Sequence, residues 1–282
     1  MKTNRETLIK VYDQTVEACK VGGYRTESGD WIDLPVPGKK SYFYSTVPQA
    51  LTSHCPRPYD EAVVYVQNID CLQKAKELGP DCAVLNMASF IKPGGGVRNG
   101  SMAQEEELFR RTNLSRALYR FYGSESETYD IQASRFQYPI PKFGGIYTPK
   151  ITVFRHALSY SFLERPFQCS VISVAAIKNP EKDKNGLMTE EAITITKGKI
   201  RAILRIALIN GHGKLVLSAL GCGAYKNNPT QVAQAFKDVL GEPEFKGAFS
   251  EICFAILEDK NSLKNQEGGN LRPFQKMFEQ SS

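Results

Sequence analysis

The sequence has 282 residues, a formal net charge of +6 at pH 7, 41% hydrophobic residues and 23% charged residues. This composition is typical of a globular protein with enough apolar material for a core. The Lys and Arg residues are scattered along the chain, so the mild positive charge suits an anionic ligand and argues against a DNA-binding surface.

Cysteine usage and the N-terminus predict the compartment. The seven cysteines form no CxxC pair, and several lie in apolar runs, where a free thiol behaves as a small hydrophobe. We therefore expect a reducing compartment, the cytosol or, in a eukaryote, the nucleus. Charges interrupt the apolar residues of the first 20 positions, and no run approaches the length of a membrane span, so neither a signal peptide nor a membrane segment is predicted. We also expect a monomer.

The first predicted elements are a helix and a long connection. Residues 4–20 place apolar side chains on one stripe, which is the periodicity of an amphipathic helix. Residues 22–60 are rich in Gly, Pro and Tyr and are predicted to wrap around the rest of the chain. We therefore distinguish an N-terminal helix with its wrapping segment (1–60) from a core (61–282), and we expect the two to form one structural unit.

Five short apolar runs follow, each bounded by turn or polar residues. They are apolar on both faces, which indicates strands that are buried in a parallel or mixed sheet. The runs are AVVYVQN (62–68), CAVLNMA (82–88), VISVAAI (171–177), KLVLSAL (214–220) and EICFAIL (251–257).

Helical patterns separate these runs. Residues 103–121, 190–210 and 229–240 have apolar residues three and four positions apart, and Asn228 is a candidate cap for the last of these helices. Residues 123–150 are predicted to be a second wrapping segment. Strands that alternate with helices of this length predict a single α/β domain, in which the sheet lies between two layers of helices.

The run KLVLSAL leads into a glycine-rich loop, at the edge where open α/β sheets bind ligands. In GCGAYKNN, Gly221 and Gly223 let backbone N–H groups turn toward one point, ahead of the positive end of the helix at 229. The loop is therefore either a phosphate-binding loop or a tight turn. A Rossmann fingerprint would need glycine in place of Lys226, and GGVRNGS (95–101) lacks the lysine of a Walker loop, so neither nucleotide-binding motif is predicted.

A second glycine-rich loop follows the run CAVLNMA. Gly94–Gly96 form a backbone that a ligand can approach closely, and Asn86 ends the strand, where its amide can hydrogen-bond at the sheet edge. Three acids, Glu105 to Glu107, then open the next helix. Acids favour a helix N-terminus because of its dipole, but the preceding glycines bring a ligand and these carboxylates to one place.

These motifs resemble the signature of poly(ADP-ribose) glycohydrolases, which are macrodomains. Gly94–Gly96, followed after seven residues by Gln-Glu-Glu (104–106), is the pattern of that family, and the resemblance is closest to its microbial branch. LNMASFIKPGGG, GGIYTPKITVFR (144–155) and LSALGCGAYKNNP resemble further motifs of the branch. The similarity extends over residues 4–258. It implies a three-layer α/β/α macrodomain-like fold with a mixed sheet and an N-terminal helical and extended extension.

The resemblance implies a role for each residue of the Gln-Glu-Glu motif. The family hydrolyses the ribose–ribose O-glycosidic bond between ADP-ribose units, and no cofactor is expected. Glu106 would be the general acid and base, and Glu105 would bind the ribose hydroxyls and orient the ring. Gln104 would hold the loop at the ligand, beside Gly94–Gly96 and Asn86. Glu107 has no role in the family and is predicted to be solvated helix surface.

The resemblance also implies which residues hold ADP-ribose. Backbone N–H groups of the second loop would bind the diphosphate, with Tyr225 against the distal ribose. Asp70, which follows the first core strand, would either bind the adenine amino group or cap a helix at 71–78. The loop residues are Gly221, Cys222, Gly223, Ala224, Tyr225 and Lys226.

Two other functions would use the same pocket. A macrodomain reader would bind ADP-ribose without cutting, although a reader has no need of paired acids behind the glycines. A hydrolase of mono-ADP-ribosylated protein would share both the acids and the product, ADP-ribose. The expected partners are therefore poly(ADP-ribose) or an ADP-ribosylated protein.

The histidines are predicted to be structural. His212 lies between two glycines and could pair with Cys222, but a histidine that stabilises the end of the preceding helix is favoured. His54 and Cys55 lack further ligands at metal spacing, so no metal site is predicted.

Overall fold

The structure is a computed structural model that describes residues 4–36, 41–123, 137–258, 263 and 268–278. It contains nine strands and seven α-helices within these ranges. The strands are β1 (Gly23–Arg25), β2 (Trp31–Asp33), β3 (Tyr42–Tyr44), β4 (Val63–Gln67), β5 (Cys82–Met87), β6 (Gly145–Arg155), β7 (Phe162–Val174), β8 (Lys214–Leu217) and β9 (Glu251–Ala255). The helices are α1 (Arg5–Val21), α2 (Cys71–Leu78), α3 (Gln104–Arg111), α4 (Leu114–Leu118), α5 (Glu190–Ile209), α6 (Pro229–Leu240) and α7 (Leu271–Phe278).

Seven strands form one mixed sheet in the order β3-β6-β7-β5-β8-β9-β4. The four pairs among β7, β5, β8, β9 and β4 are parallel, whereas β6 is antiparallel to both of its neighbours. One apolar core packs α5 and α6 on one face of this sheet, and a second core packs α1 to α4 on the other face. The predicted three-layer α/β/α arrangement is therefore confirmed. Among the described helices, none has the length and apolar character needed to cross a membrane.

Side chains cap several helices, and the cap of α6 is the one that the sequence predicted at Asn228. The Asn4 side chain accepts a hydrogen bond from the Thr7 N–H at 2.8 Å at the start of α1. The Asn228 side chain accepts one from the Gln231 N–H at 2.9 Å, and proline occupies the first position of α6. Each cap satisfies an N–H group that the helix itself leaves without a partner.

The single helix predicted for residues 103–121 is wrong because Thr112 interrupts it. Thr112 is extended (φ −139°, ψ 170°). Its hydroxyl donates to the Leu108 carbonyl at 2.7 Å and accepts from the Leu114 N–H at 3.0 Å. The threonine side chain thus ends α3 and starts α4, a local competition that apolar spacing does not reveal.

The two predicted wrapping segments contribute strands to the fold. Within residues 22–60, β1 and β2 form a separate two-stranded sheet, and β3 extends the edge of the main sheet. Within 123–150, β6 begins at Gly145, while residues 124–136 lie outside the described residues. Sequence patterns missed β6 because Pro149 lies in its middle, at a register shift between Thr148 and Ile151 that accommodates the proline.

Candidate active site

The two glycine-rich loops lie side by side at the carboxyl ends of the parallel strands. β5 and β8 are neighbours, with Ala83 opposite Leu215. The loops that follow them therefore leave the sheet at the same edge, where α/β folds place ligands. Between the loops, the Phe90 N–H donates to the Tyr225 hydroxyl at 3.4 Å.

The first glycine loop lies directly on the acids of α3. A Cβ atom at Gly95 would stand 2.7 Å from Oε1 of Glu106 and 3.5 Å from Oε2 of Glu105. At Gly94 it would lie 2.5 Å from the Phe109 ring, and both glycines have left-handed φ angles of +74° and +49°. The missing side chains therefore make room for the carboxylates and for the packing of α3, in addition to any approach by a ligand. The two acids, although adjacent on the helix, converge on one point.

Substitution of Gly95 by alanine is expected to reduce activity by displacing Glu106. The new Cβ would push a carboxylate that the N–H groups of Gly96 and Ala103 hold in place. Misplacing a catalytic group by about 1 Å typically costs about 10²-fold in rate. Gly211→Ala is the matched control, because Gly211 also has a left-handed φ (+76°) but its Cβ would meet no atom within 4 Å. Both variants should lose about 1 kcal/mol of stability from backbone strain, as thermal unfolding would show. Equal activities for the two variants would contradict the proposed effect of a Cβ at Gly95 on the Glu106 carboxylate.

The start of α3 fixes the Glu106 carboxylate. Its Oε2 accepts from the Ala103 N–H at 2.8 Å, as an acid at the third helical position does in a capping box. Its Oε1 accepts from the Gly96 N–H at 2.9 Å, and the residue is 7% exposed. The same side chain thus caps the N-terminus of α3 and contacts the first glycine loop. Each oxygen keeps a second lone pair for a proton or a water molecule.

The Glu105 carboxylate lies deeper in the protein, at 3% exposure. Its Oε2 accepts from the Ser89 N–H at 2.7 Å, and its Oε1 accepts from the Asn86 amide at 3.4 Å. Burial, with a smaller contribution from the nearby Glu106 charge, raises the pKa of Glu105 to about 7, against the opposing effect of the hydrogen bonds donated by Ser89 and Gly94. Glu105 therefore exchanges a proton near neutral pH, as groups at functional sites often do.

This pKa predicts how Glu105 affects stability. The pKa of Glu105 is higher in the folded chain than the ordinary value of 4.5. Below pH 4.5 the carboxyl is protonated in both the folded and the unfolded chain, so it does not lower the free energy of unfolding there. Stability is lost as the pH rises from 4.5 through 7, because the unfolded chain ionises more readily. Glu105→Gln should therefore raise the free energy of unfolding at pH 8 by up to about 3 kcal/mol, with a much smaller gain at pH 4.5. Urea unfolding at both pH values measures this difference, and a gain independent of pH would contradict it.

Asn86 contacts Glu105. The residue is 0% exposed, and its amide nitrogen donates to the Ser173 hydroxyl at 3.0 Å as well as to Glu105. Binding of a ligand by Asn86 stays a prediction, and the contact with Glu105 is the role that the structure shows. Its Oδ1 is buried without a hydrogen-bond partner. A half-turn of the amide would let this oxygen accept the proton of a neutral Glu105.

Gln104 joins α3 to the end of β5. Its side-chain oxygen accepts from the Met87 N–H at 2.8 Å, and its amide nitrogen donates to the Leu85 carbonyl at 2.6 Å. Both ends of the amide thus bind the last residues of β5, ahead of the first glycine loop, and the role of Gln104 in holding that loop stays a prediction. A direct contact of Gln104 with a ligand is therefore not supported.

Glu107 is not solvated helix surface, so that prediction is wrong. Its Oε1 lies 2.7 Å from the guanidinium of Arg110, which is fully buried, and both of its oxygens accept from the Tyr160 hydroxyl at 2.9 Å. Arg110 also donates to the carbonyls of Leu8 and Ser101. Burial raises the pKa of Glu107, and Arg110 opposes this effect. Glu107 thus holds the arginine that ties α3 to α1 and to the first glycine loop.

The second glycine loop packs against the protein at Gly221 and is open at Gly223. Gly221 has φ +74°, and a Cβ there would lie 2.5 Å from Ala176 and from the Asn227 amide. That amide donates to the carbonyls of Ile177 and Gly221, a structural role that no sequence pattern indicated. At Gly223, by contrast, a Cβ would meet no atom within 4 Å.

Several backbone donors of this loop remain available. The N–H groups of Gly223, Ala224 and Tyr225 donate no hydrogen bond to any described residue. Cys222 is buried, and burial raises the pKa of its thiol, so it is not a reactive group. Its N–H donates to the Ala219 carbonyl at 3.1 Å and is therefore not among the available donors. Lys226 has a left-handed φ of +59° and closes the turn by donating its N–H to the Gly223 carbonyl at 3.0 Å.

Asp70 caps α2. Its Oδ1 accepts from the Gln73 N–H at 2.9 Å, and its carboxylate is paired with Arg111 at 2.8 Å. Of the two roles predicted for Asp70, the helix cap is confirmed. Adenine binding by the same carboxylate stays a prediction.

His212 contributes to the end of α5 through its backbone N–H, which donates to the Ala207 carbonyl at 3.0 Å. Its side chain is buried and binds other residues, so the prediction of a positive charge at the helix end is wrong. Its Nδ1 lies 2.7 Å from the Asp81 carbonyl, to which it donates, and its Nε2 accepts from the Tyr147 hydroxyl at 2.8 Å. Burial lowers its pKa, which favours the neutral ring. All seven cysteines are free, and no group of three or more potential metal ligands occurs among the described residues.

Comparisons with known proteins agree with these motifs. The family profile "Microbial-type PARG, catalytic domain", in which PARG is poly(ADP-ribose) glycohydrolase, matches residues 13–156, just over half of the chain. No curated protein matches.

Solved structures of two bacterial enzymes are similar over nearly the whole chain. Poly(ADP-ribose) glycohydrolase from Thermomonospora curvata has 26% identity and a TM-score of 0.79, covering 97% of this chain and 100% of that one. The same enzyme bound to the inhibitor ADP-HPD gives a TM-score of 0.78. The enzyme from Deinococcus radiodurans, in complex with ADP-ribose, has 25% identity and a TM-score of 0.64 and covers 86% of this chain and 94% of that one. The chain belongs to the microbial-type poly(ADP-ribose) glycohydrolases, a family of glycosidases with a macrodomain-like fold, as its glycine and glutamate motifs predicted.

Proposed function

We propose that this chain hydrolyses the ribose–ribose O-glycosidic bond of poly(ADP-ribose) and releases ADP-ribose. The observation that carries the proposal is the convergence of Glu105 and Glu106 beneath Gly95, next to the open second glycine loop. This arrangement combines a pair of acids with a place for a diphosphate. The family match and the two similar bacterial enzymes support the same activity.

Cleavage of this bond requires two proton transfers. The bond breaks through an oxocarbenium-like transition state, so the leaving hydroxyl must receive a proton and a water molecule must then lose one. We assign both steps to Glu106. Backbone N–H groups on either side hold its carboxylate without occupying all of its lone pairs, so it can donate a proton and take one back without changing its position.

Glu105 is assigned to the ribose hydroxyls. Its carboxylate is fixed by Ser89 and Asn86, and it lies on the same point as Glu106. Its raised pKa also makes it the second candidate for the general acid. Variants distinguish Glu106 from Glu105 as the general acid, because only replacement of the residue that donates the proton removes the proton transfer itself.

The second glycine loop is assigned to the diphosphate. Three N–H groups without partners among the described residues, together with the positive end of α6 at Pro229, favour a group with negative charge. Tyr225 follows these donors and contacts the first loop through Phe90. We therefore place the distal ribose against Tyr225, between the diphosphate and the acids.

Incubation with two substrates tests this function. Poly(ADP-ribose) and a mono-ADP-ribosylated protein are supplied separately, and free ADP-ribose is measured by chromatography. We expect ADP-ribose from the polymer. Release from the modified protein alone would instead identify a mono-ADP-ribosyl hydrolase, and binding of ADP-ribose with no release from either substrate would identify a reader.

Activity is expected to survive exhaustive metal chelation. The proposed reaction moves protons on carboxylates, and the described residues contain no cluster of metal ligands. Initial rates would be compared before and after treatment with EDTA and removal of the chelator. A loss of activity that Mg²⁺ or Zn²⁺ restores would contradict the mechanism.

The setting of the enzyme is also part of the proposal. The odd number of cysteines and the lack of a CxxC pair support a reducing compartment, the cytosol or, in a eukaryote, the nucleus. We propose a monomer in which residues 1–60 and 61–282 act as one unit, since β3 of the first segment pairs with β6 of the second.

A further inference from the structure

A second cavity lies apart from the glycine loops. Its volume is about 340 Å³, it is open to solvent, and it is bordered by α1, the turn after β1 and the turn between β6 and β7. None of its lining residues belongs to residues 88–103 or 218–228, the loops of the candidate active site. The polar and charged lining includes Arg25, Thr26, Glu27, Arg155, Ser159 and Ser161.

Arg155 is a buried cation in this lining without an acidic partner. It is 3% exposed, yet it forms no ion pair with any carboxylate of the described residues. Its Nε donates to the Thr15 hydroxyl at 2.8 Å, and its two terminal nitrogens donate to the Tyr160 carbonyl and to Gln14. All three acceptors are neutral, and the guanidinium lies 3.9 Å over the Phe162 ring.

Such an arginine is incompletely compensated. A guanidinium has five N–H donors, and three of them are used here, so each terminal nitrogen keeps one. Burial of a charge is costly unless a counter-charge accompanies it. In agreement with this, burial lowers the pKa of Arg155 to about 10. An oxyanion in the cavity would supply both the missing acceptors and the missing charge.

The rest of the lining suits an oxyanion with several oxygens. The hydroxyls of Ser159 and Ser161 lie 2.9 Å apart, and Arg25 adds a second guanidinium, one nitrogen of which donates to the Gly29 carbonyl at 3.1 Å. Two carboxylates oppose an anion here: Glu27 belongs to the lining, and Glu164 accepts hydrogen bonds from Thr26 and Ser28 beside it. Both are exposed to solvent, where their charges are screened. Two arginines and several hydroxyls are the donors that recognise phosphate groups.

We propose that this cavity is a binding site for a phosphate group, held by Arg155 and Arg25 and separate from the active site. The site does not depend on the proposed hydrolysis. The phosphate belongs either to a small free compound or to a diphosphate of the polymer, which carries the same chemistry.

Calorimetric titration with inorganic pyrophosphate tests the site. The titration uses the Gly223→Glu protein, in which the diphosphate loop of the active site is blocked, with sodium chloride of equal ionic strength as the control. We expect one saturable pyrophosphate per chain. The chain's only tryptophan, Trp31, reports on the same place, because Arg25 lies 6.0 Å from its ring centre. Its fluorescence should therefore change with the same midpoint.

Variants of two exposed residues should change the affinity for pyrophosphate in opposite directions. Removal of the negative charge in Glu27→Gln should tighten pyrophosphate binding, and removal of the positive charge in Arg25→Gln should weaken it, each by about threefold per unit of ligand charge, for charges about 7 Å apart in water. Arg155→Lys keeps the charge but loses the planar fork, so it should weaken binding by at least about tenfold. Both exposed variants are expected to fold normally, so the test does not depend on the stability of the Arg155 variant.

The results of these titrations show where the phosphate comes from, or show that the cavity binds none. Short ADP-ribose chains that compete with pyrophosphate in the Gly223→Glu protein would identify the polymer as the source. Pyrophosphate binding without such competition would identify a small phosphate compound. Heat and fluorescence changes no larger than those of sodium chloride, or equal affinities in Glu27→Gln and Arg25→Gln, would overturn the proposal.

Discussion

The Glu106→Gln variant is expected to bind ADP-ribose nearly as well as the unchanged protein but to release it from poly(ADP-ribose) 10²–10⁴ times more slowly. The amide keeps the shape of the side chain and loses the transferable proton, and general acid–base catalysis typically contributes about that factor. Because Glu106 is assigned to both proton transfers, the loss should lie at the upper end of this range. Binding is measured by calorimetry and turnover by chromatography of the product.

Two amide variants are the controls for this experiment. Glu105→Gln should retain measurable proton transfer and lose mainly ribose binding, so its KM should rise more than its kcat falls. Glu191→Gln changes an exposed acid in the first turn of α5 and should leave both constants unchanged. If Glu105→Gln abolishes turnover while Glu106→Gln does not, the two roles must be exchanged.

Gly223→Glu is expected to remove ADP-ribose binding and hydrolysis together. A Cβ at this position would meet no atom within 4 Å, so the variant should fold. Its carboxylate would stand beside the free N–H groups of residues 223–225, where it would compete with the diphosphate and repel it. Gly223→Gln, with the same size and no charge, separates repulsion from obstruction and should retain more binding.

Comparison of Gly223→Glu with Glu106→Gln separates ligand binding from catalysis. One variant should lose binding and the other only chemistry, because the two changes lie at different ends of the same ligand. Calorimetry with ADP-ribose on both proteins, with thermal unfolding as the check of folding, measures the difference. Equal affinity in the two variants would mean that the ligand does not lie across this loop.

Most of the parallel part of the fold could be predicted from the sequence. Four of its five strands are short apolar runs, and β7 has such a run at its carboxyl end, after a more polar first half that the sequence analysis missed. The helix α6 begins at the Asn-Pro pair that marked it, because local signals and tertiary packing agree there. The antiparallel edge was missed for a physical reason. β6 tolerates Pro149 by means of a local register shift. β3 is a three-residue edge strand that pairs with β6 alone, too short for a clear strand pattern.

The residues of the candidate site could be predicted from the sequence where the chemistry requires a particular residue type. They could not be predicted where the role of a residue depends on its burial and its partners in the fold. The glycines and the acids stand out because few other structures need them together. The surroundings of Asn86, Glu107 and His212 could not be read from spacing, since each is decided by distant partners. Glu107, for example, is paired with Tyr160, 53 positions along the chain.

The central claim is that water cleaves the bond at the anomeric carbon of the distal ribose, with Glu106 protonating the leaving hydroxyl. Hydrolysis of poly(ADP-ribose) in ¹⁸O-labelled water, stopped at short times and followed by mass spectrometry, tests it most directly. We predict one ¹⁸O atom in the anomeric hydroxyl of the released ADP-ribose and none in the hydroxyl left on the shortened chain. Label on the shortened chain, or tight binding of the polymer with no labelled ADP-ribose at all, would contradict the account.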